Sequence, residues 1–165
     1  MKLRLQIVLG FVFALLIMGC NSKQKENDLT KNDIKGDVKS IIEERHSATV
    51  RFGEIEKETR KSYYEVDFNE DGNLKVISSY DSDGSVDGKR TFEYDEEGNK
   101  VEEIEYNSDG SIDYKYTYEY DEEGNLEEEI RYDSDGSIFG KDKFEYDEEG
   151  NKVEEIEYNS DGSIL

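Results

Sequence analysis

Residues 94–120 read YDEEGNKVEEIEYNSDGSIDYKYTYEY. From Ile112 the residues Tyr114, Tyr116, Tyr118 and Tyr120 alternate with Asp113, Lys115, Thr117 and Glu119, the period-two pattern of a β-strand. Gly98 and Gly110 each close a run of turn-forming residues, at the point where a three-residue hairpin loop needs a positive φ. With Glu96-Glu97-Gly98 and Ser108-Asp109-Gly110 as loops, Asp95 faces Asn99 and Asn107 faces Ser111. That register sets Tyr106 opposite Ile112 and Ile104 opposite Tyr114, pairs of an aromatic with a branched residue that stabilise sheets.

Working outward, the same unit recurs. Glycines 72, 98, 124 and 150 are 26 residues apart, and glycines 84, 110, 136 and 162 form a second series offset by 12. Each unit therefore holds two turns, Asp-Glu-Glu-Gly-Asn (Asn-Glu-Asp-Gly-Asn in the first copy) and Asp/Asn-Ser-Asp-Gly-Ser. Odd loops and an even period put every even-numbered strand residue on one face, among them Phe68, Leu74, Val76, Tyr80, Phe92, Tyr94, Ile130, Tyr132, Phe144 and Tyr146. Lys100, Glu102, Glu128, Lys152 and Glu154 fall on that face too, opposite tyrosines. With no Trp, no Pro and acids on both faces, a two-layer core is hard to fill. The expectation is an all-β fold, antiparallel hairpin repeats in a twisted meander or open β-solenoid, with tyrosine rings covering the stems of lysines and glutamates. Residues 69–165 are the array, its last unit incomplete. Residues 38–46 and 60–68, within the non-repeating stretch 34–68, read as a longer hairpin that caps it. At the far end the chain stops two residues into a strand, which suggests either a truncated remnant of a larger protein or a last strand, residues 151–158, open to edge pairing and self-association.

Lys2 and Arg4 precede an apolar run, residues 7–18, too short to span a bilayer confidently. Leu16-Ile17-Met18-Gly19-Cys20 resembles the lipobox cut by lipoprotein signal peptidase, so residues 1–19 read as a signal peptide and Cys20 as the lipidated first residue of the mature chain. Cys20 is the only cysteine, so no disulfide framework exists. The rest of residues 20–33 is polar and reads as a flexible tether. Asn21 is not the aspartate of inner-membrane retention, and Lys25-Glu26-Asn27-Asp28 resembles the Lys-plus-acid export signal of some surface lipoproteins. The expected location is the bacterial cell envelope, lipid-anchored, at the outer membrane and the cell surface. Residues 1–19 hold two bases and no acid, so 43 acids face 19 bases beyond them, a formal charge of −24. Such a field excludes nucleic acid as a partner and favours cations or cationic surfaces.

Tyr94-Asp95-Glu96-Glu97-Gly98-Asn99, with its copies at 120–125 and 146–151 and a degenerate copy at 68–73, resembles the YD (RHS) repeat over residues 63–165. The resemblance implies a β-hairpin array at a bacterial surface, used as a toxin shell or as a carbohydrate- or partner-binding module. The few units, the intervening Ser-Asp-Gly turn and the acidity point away from encapsulation. The chain is similar to short acidic YD-like lipoproteins.

Asp67, Asn69 and Asp71 before Gly72, and Glu105, Asn107 and Asp109 before Gly110, match the first half of an EF-hand loop. The bidentate acid of its twelfth position would be Ser78 or Tyr116, so solvated hairpin turns are the stronger reading. The alternative is a calcium-dependent structural or adhesive module with affinity of about 0.1–1 mM. Carboxylates are spread along the whole chain and none is marked out as a perturbed catalytic acid, so the chain reads as non-enzymatic with no cofactor. His46 has no second nitrogen ligand near it, and Gly84-Ser85-Val86-Asp87-Gly88-Lys89 is one residue short of a phosphate loop. Exposed aromatic rows stack on sugars and peptide side chains, and Tyr114, Tyr116 and Tyr118 are the best local candidates. The leading function is a membrane-anchored binding or scaffold module for a glycan, peptide or protein.

Overall fold

A computed structural model describes residues 27–165; residues 1–19, read as a signal peptide, and Cys20 lie outside them. Nine strands follow in order: β1 Ser40–Arg51, β2 Glu54–Phe68, β3 Leu74–Asp81, β4 Val86–Tyr94, β5 Lys100–Tyr106, β6 Ile112–Tyr120, β7 Leu126–Tyr132, β8 Ile138–Tyr146 and β9 Lys152–Asn159. Each pairs antiparallel with its neighbours in sequence, in one nine-stranded sheet ordered β1 to β9. The fold is thus an all-β meander, open rather than wound into a solenoid. The turns form as their residues dictate. Asp95 N–H donates to Asn99 O at 3.0 Å and Asn107 N–H to Ser111 O at 2.9 Å, with Gly98 at φ 76° and Gly110 at φ 84°.

Beyond the loops the register departs from simple alternation. Tyr106 is opposite Ile112 as expected, but Glu105 is opposite Tyr114 and Ile104 opposite Lys115. One residue, Asp113, is left over, and the same one-residue shift recurs in every pair from β2–β3 to β8–β9. A bulge adds a residue to one strand and increases local twist. Because side chains alternate with period two, one extra residue moves the rest of the strand to the other face. The single aromatic face expected from even numbering is therefore divided. Phe92, Tyr114, Tyr116, Tyr118 and Phe144 share one face, the A face. Val76, Tyr80, Ile104, Ile130, Tyr132 and Ile156 share the other, the B face. Glu102, Glu128 and Glu154 are opposite Glu93, Glu119 and Glu145, not tyrosines, whereas Lys100 and Lys152 do face Tyr94 and Tyr146.

Among the described residues only Leu29 and Phe68 are buried hydrophobics; the sheet is a single layer. It is held by its ladders and by side chains lying flat along it. Lys89 lies 5.4 Å from the Tyr106 ring centroid and Lys141 5.4 Å from that of Tyr158. Lys143 reaches Glu128 at 3.3 Å, and Lys115 pairs with Glu102.

Two features lie outside the repeats. Residues read as a tether form a one-turn helix, α1 Asp28–Lys31, that docks on the first turn. Leu29 is buried there, Leu29 N–H donates to Gly72 O at 3.1 Å, and the Asp28 carboxylate accepts from Leu74 N–H at 2.8 Å and from the Tyr94 hydroxyl at 2.9 Å. Burial first, then Asp28, pushes the Tyr94 hydroxyl pKa well up. Asn27 Nδ2 also donates to Asp71 O at 2.6 Å, and together these contacts dock a segment whose composition alone indicates a tether. The second feature is the β1–β2 hairpin. β2 pairs with β3 only over Ser62–Phe68, so the tip half of the hairpin stands free as a two-stranded arm. Its two-residue loop, Phe52-Gly53, has φ 52° and 87°, the type I′ pattern that favours Asn-Gly. A bulky residue held in the left-handed region costs about 1–3 kcal/mol. Among the described residues no helix is long and apolar enough to cross a membrane.

Candidate binding surface

Tyr114, Tyr116 and Tyr118 project in a row from β6 onto the A face. Tyr114 is opposite Glu105 and Tyr116 opposite Glu103 on β5; on β7 Tyr116 is opposite Arg131 and Tyr118 opposite Glu129. Each ring thus has a carboxylate directly beside it. Tyr114 is exposed and the other two are half-buried.

The row is locked at its Tyr118 end. Lys100 Nζ lies 4.3 Å from the Tyr118 ring centroid and 2.6 Å from Glu103 Oε2, and the Tyr118 hydroxyl donates to Glu103 Oε2 at 3.5 Å. Burial works to lower the Lys100 pKa, but the Glu103 carboxylate and Tyr118 outweigh it and hold the ammonium charged. Burial raises the Tyr118 hydroxyl pKa against the pull of Lys100. Arg90 meets Glu103 at 3.4 Å and Glu105 at 3.5 Å, bracing the carboxylates beside Tyr116 and Tyr114. Such a row offers flat apolar rings, suited to sugar faces or cationic side chains, flanked by acceptors for hydroxyls or ammonium groups.

Next to the row lies a notch of about 250 Å³ between β7, β8 and β9, lined by Glu129, Arg131, Phe139, Asp142, Glu157 and Tyr158. Gly140 forms its floor where the preceding repeat carries Tyr114, and this loss of a ring opens the space. The Arg131 guanidinium stacks 4.1 Å from the Phe139 ring centroid. Burial, followed by the neighbouring Asp142 carboxylate, raises the Glu129 pKa. The tyrosines were legible from the sequence, but Glu103, Glu129, Arg131 and the notch were not. The usable signal was deviation from the repeat, since Arg131 replaces Glu105 and Gly140 replaces Tyr114 one period on.

The six calcium candidates lie in two of the turns and the strand ends beside them. Asp67 is paired opposite Val76 within the sheet, and Asn69 Oδ1 accepts from the N–H groups of Asp71 at 3.1 Å and Asn73 at 2.9 Å. Glu105 is drawn to Arg90, and Asn107 donates to Ser111 Oγ at 3.1 Å. Asp109 accepts from the Ser111 hydroxyl at 2.6 Å and its N–H at 2.9 Å, and these bonds hold its pKa below the ordinary range. Among the described residues no three Asp, Glu, His or Cys side chains form a group that could hold a metal ion. His46 Nε2 lies 3.0 Å from Glu44 Oε2 in the arm. No protein-family model matches the chain, and no curated protein matches it either.

Proposed function

We propose that this protein is a non-enzymatic lipoprotein of the bacterial cell surface that presents a repeat β-sheet as a binding or scaffold module. The observation that carries the reading is the single-layer sheet. Both faces are open to solvent, and the A face sets the Tyr114–Tyr116–Tyr118 row between carboxylates on both flanking strands. A rigid strand-built row of rings, already paid for by sheet pairing, loses little conformational entropy on contact with a ligand. The carboxylates direct it toward polyhydroxylated or cationic groups, and the chain's formal charge of −22 directs it away from anionic ones. The lipobox-like sequence ending at Cys20 supplies the anchor.

A glycan array probed with the full chain and with the Tyr114→Ala/Tyr116→Ala/Tyr118→Ala variant tests the surface. Bound glycans whose signal falls at least tenfold in the variant, with an unchanged β circular-dichroism spectrum, are the expected result. Equal binding by both proteins removes the tyrosine row from the reading. Metabolic labelling with an alkyne fatty acid, expected to be lost in Cys20→Ser, tests the anchor.

A further inference from the structure

The net charge of the chain is unevenly placed. Residues 69–165 hold 32 acids and nine bases, while residues 46–61, the part of the β1–β2 arm beyond the Arg45–Ser62 pair, hold four Lys/Arg and three Glu. The arm is thus a cationic projection on an acidic protein. The eight residues 54–61 extend beyond the last β2–β3 pair, Ser62 opposite Asp81, a reach of about 26 Å at roughly 3.3 Å per residue. That exceeds the Debye length of about 8 Å at physiological ionic strength, so an approaching surface feels the arm's charge largely apart from the sheet's.

The arm ends in apolar side chains. Val50 and Ile55 are directly opposite each other and 65% and 52% exposed, and Phe52 is 107% exposed. Phe52 touches nothing that would repay its left-handed backbone, and asparagine in its place would relieve the strain. Strained residues of this kind cluster where they serve a function.

We infer that the arm docks on the A face of a second copy of this chain, inserting Phe52 into the notch between β7 and β9. Charge complementarity identifies the occupant, since the arm is cationic and the repeat sheet carries the acidic excess of the whole chain. The notch is open to solvent and, at about 250 Å³, has room for a ring beside Phe139 and among both carboxylates and the cations Arg131 and Lys141. Arm and notch lie at opposite edges of the sheet, so the contact is head-to-tail and propagates beyond a dimer. The inference rests on the reading of the sheet as a binding surface and names a partner for it.

The test places a photoreactive benzoylphenylalanine at position 52 of the full chain. Irradiation is expected to give a ladder of covalent oligomers whose linked peptides map to residues 126–159. Arg51→Glu/Lys57→Glu abolishes the ladder, and a co-expressed Glu129→Lys/Glu157→Lys copy restores it. Products that map elsewhere on the chain, to lipid or only to other proteins, or no product from a chain with a native β spectrum, overturn the inference. Phe52→Asn provides the second readout. It is expected to raise the melting temperature and to abolish oligomers in sedimentation, whereas a lowered melting temperature would make Phe52 a structural residue and overturn the proposal. The glycan assay on Tyr114, Tyr116 and Tyr118 does not involve Phe52, so the two readings fail separately.

Discussion

Individual residues set the turns. Gly124 sits at φ 86° with open space where a side chain would go, so Gly124→Ala isolates the backbone cost. A loss of about 1–2 kcal/mol is expected, read as a lower urea midpoint at unchanged slope. The turn aspartates give the fold its acid limit. Asp83, Asp109 and Asp161 are held below the ordinary value of 3.8 by hydrogen bonds from the serine two residues on, and Asp121 and Asp147 by bonds from the asparagine four residues on. Folded-state values below the unfolded ones mean that this stability is present above 3.8 and is lost as pH falls through the depressed values. Glu129 acts in the opposite sense: its raised pKa favours the folded state once the group protonates. The melting temperature is therefore expected to rise from neutral pH into the mildly acidic range and to fall below pH 3.8, in a thermal series across pH. The same hydrogen bonds leave the turn carboxylates committed, so millimolar calcium and excess EDTA are expected to give equal melting temperatures. A calcium-specific rise would support the calcium-dependent alternative.

At the scale of elements, β5 and β9 have the same sequence, KVEEIEY, within a 21-residue identity between 92–112 and 144–164. Every residue of β5 is half-buried, whereas β9 is exposed over its first four residues, because β5 is flanked on both sides and the start of β9 on one. Equal substitutions should therefore differ. Val101→Ala is expected to cost about 1 kcal/mol, while Val153→Ala, at a residue 62% exposed, stays within about 0.5 kcal/mol. A pair of denaturant melts checks both. The element that sequence patterning did not reveal is α1, since a single turn shows no periodicity and its order comes from Gly72 and Leu74, more than 40 residues away.

For the whole molecule, 42 acids against 17 Lys/Arg over the described residues 27–165 make self-repulsion a bulk property, sharpened by the opposed pairs Glu93–Glu102, Glu119–Glu128 and Glu145–Glu154. Raising sodium chloride from about 20 mM to about 500 mM shortens the screening length severalfold and is expected to raise the melting temperature. The same change should weaken any association that depends on the cationic arm, so stability and oligomerisation should respond to salt with opposite signs. By itself the sequence determined the hairpin, its glycine turns and the 26-residue repeat, because those depend on φ preferences and on spacing within a dozen residues. It also determined the row Tyr114, Tyr116 and Tyr118, which period-two alternation places on one face of one strand. Only the tertiary structure decided which strands share that face, because one bulged residue per strand pair breaks the alternation where it sits and reverses the facing of the residues beyond it. Placing Glu103, Glu129 and Arg131 beside the tyrosines, opening the notch over Gly140, and freeing the arm beyond Ser62 all follow from that register and from where each pairing stops.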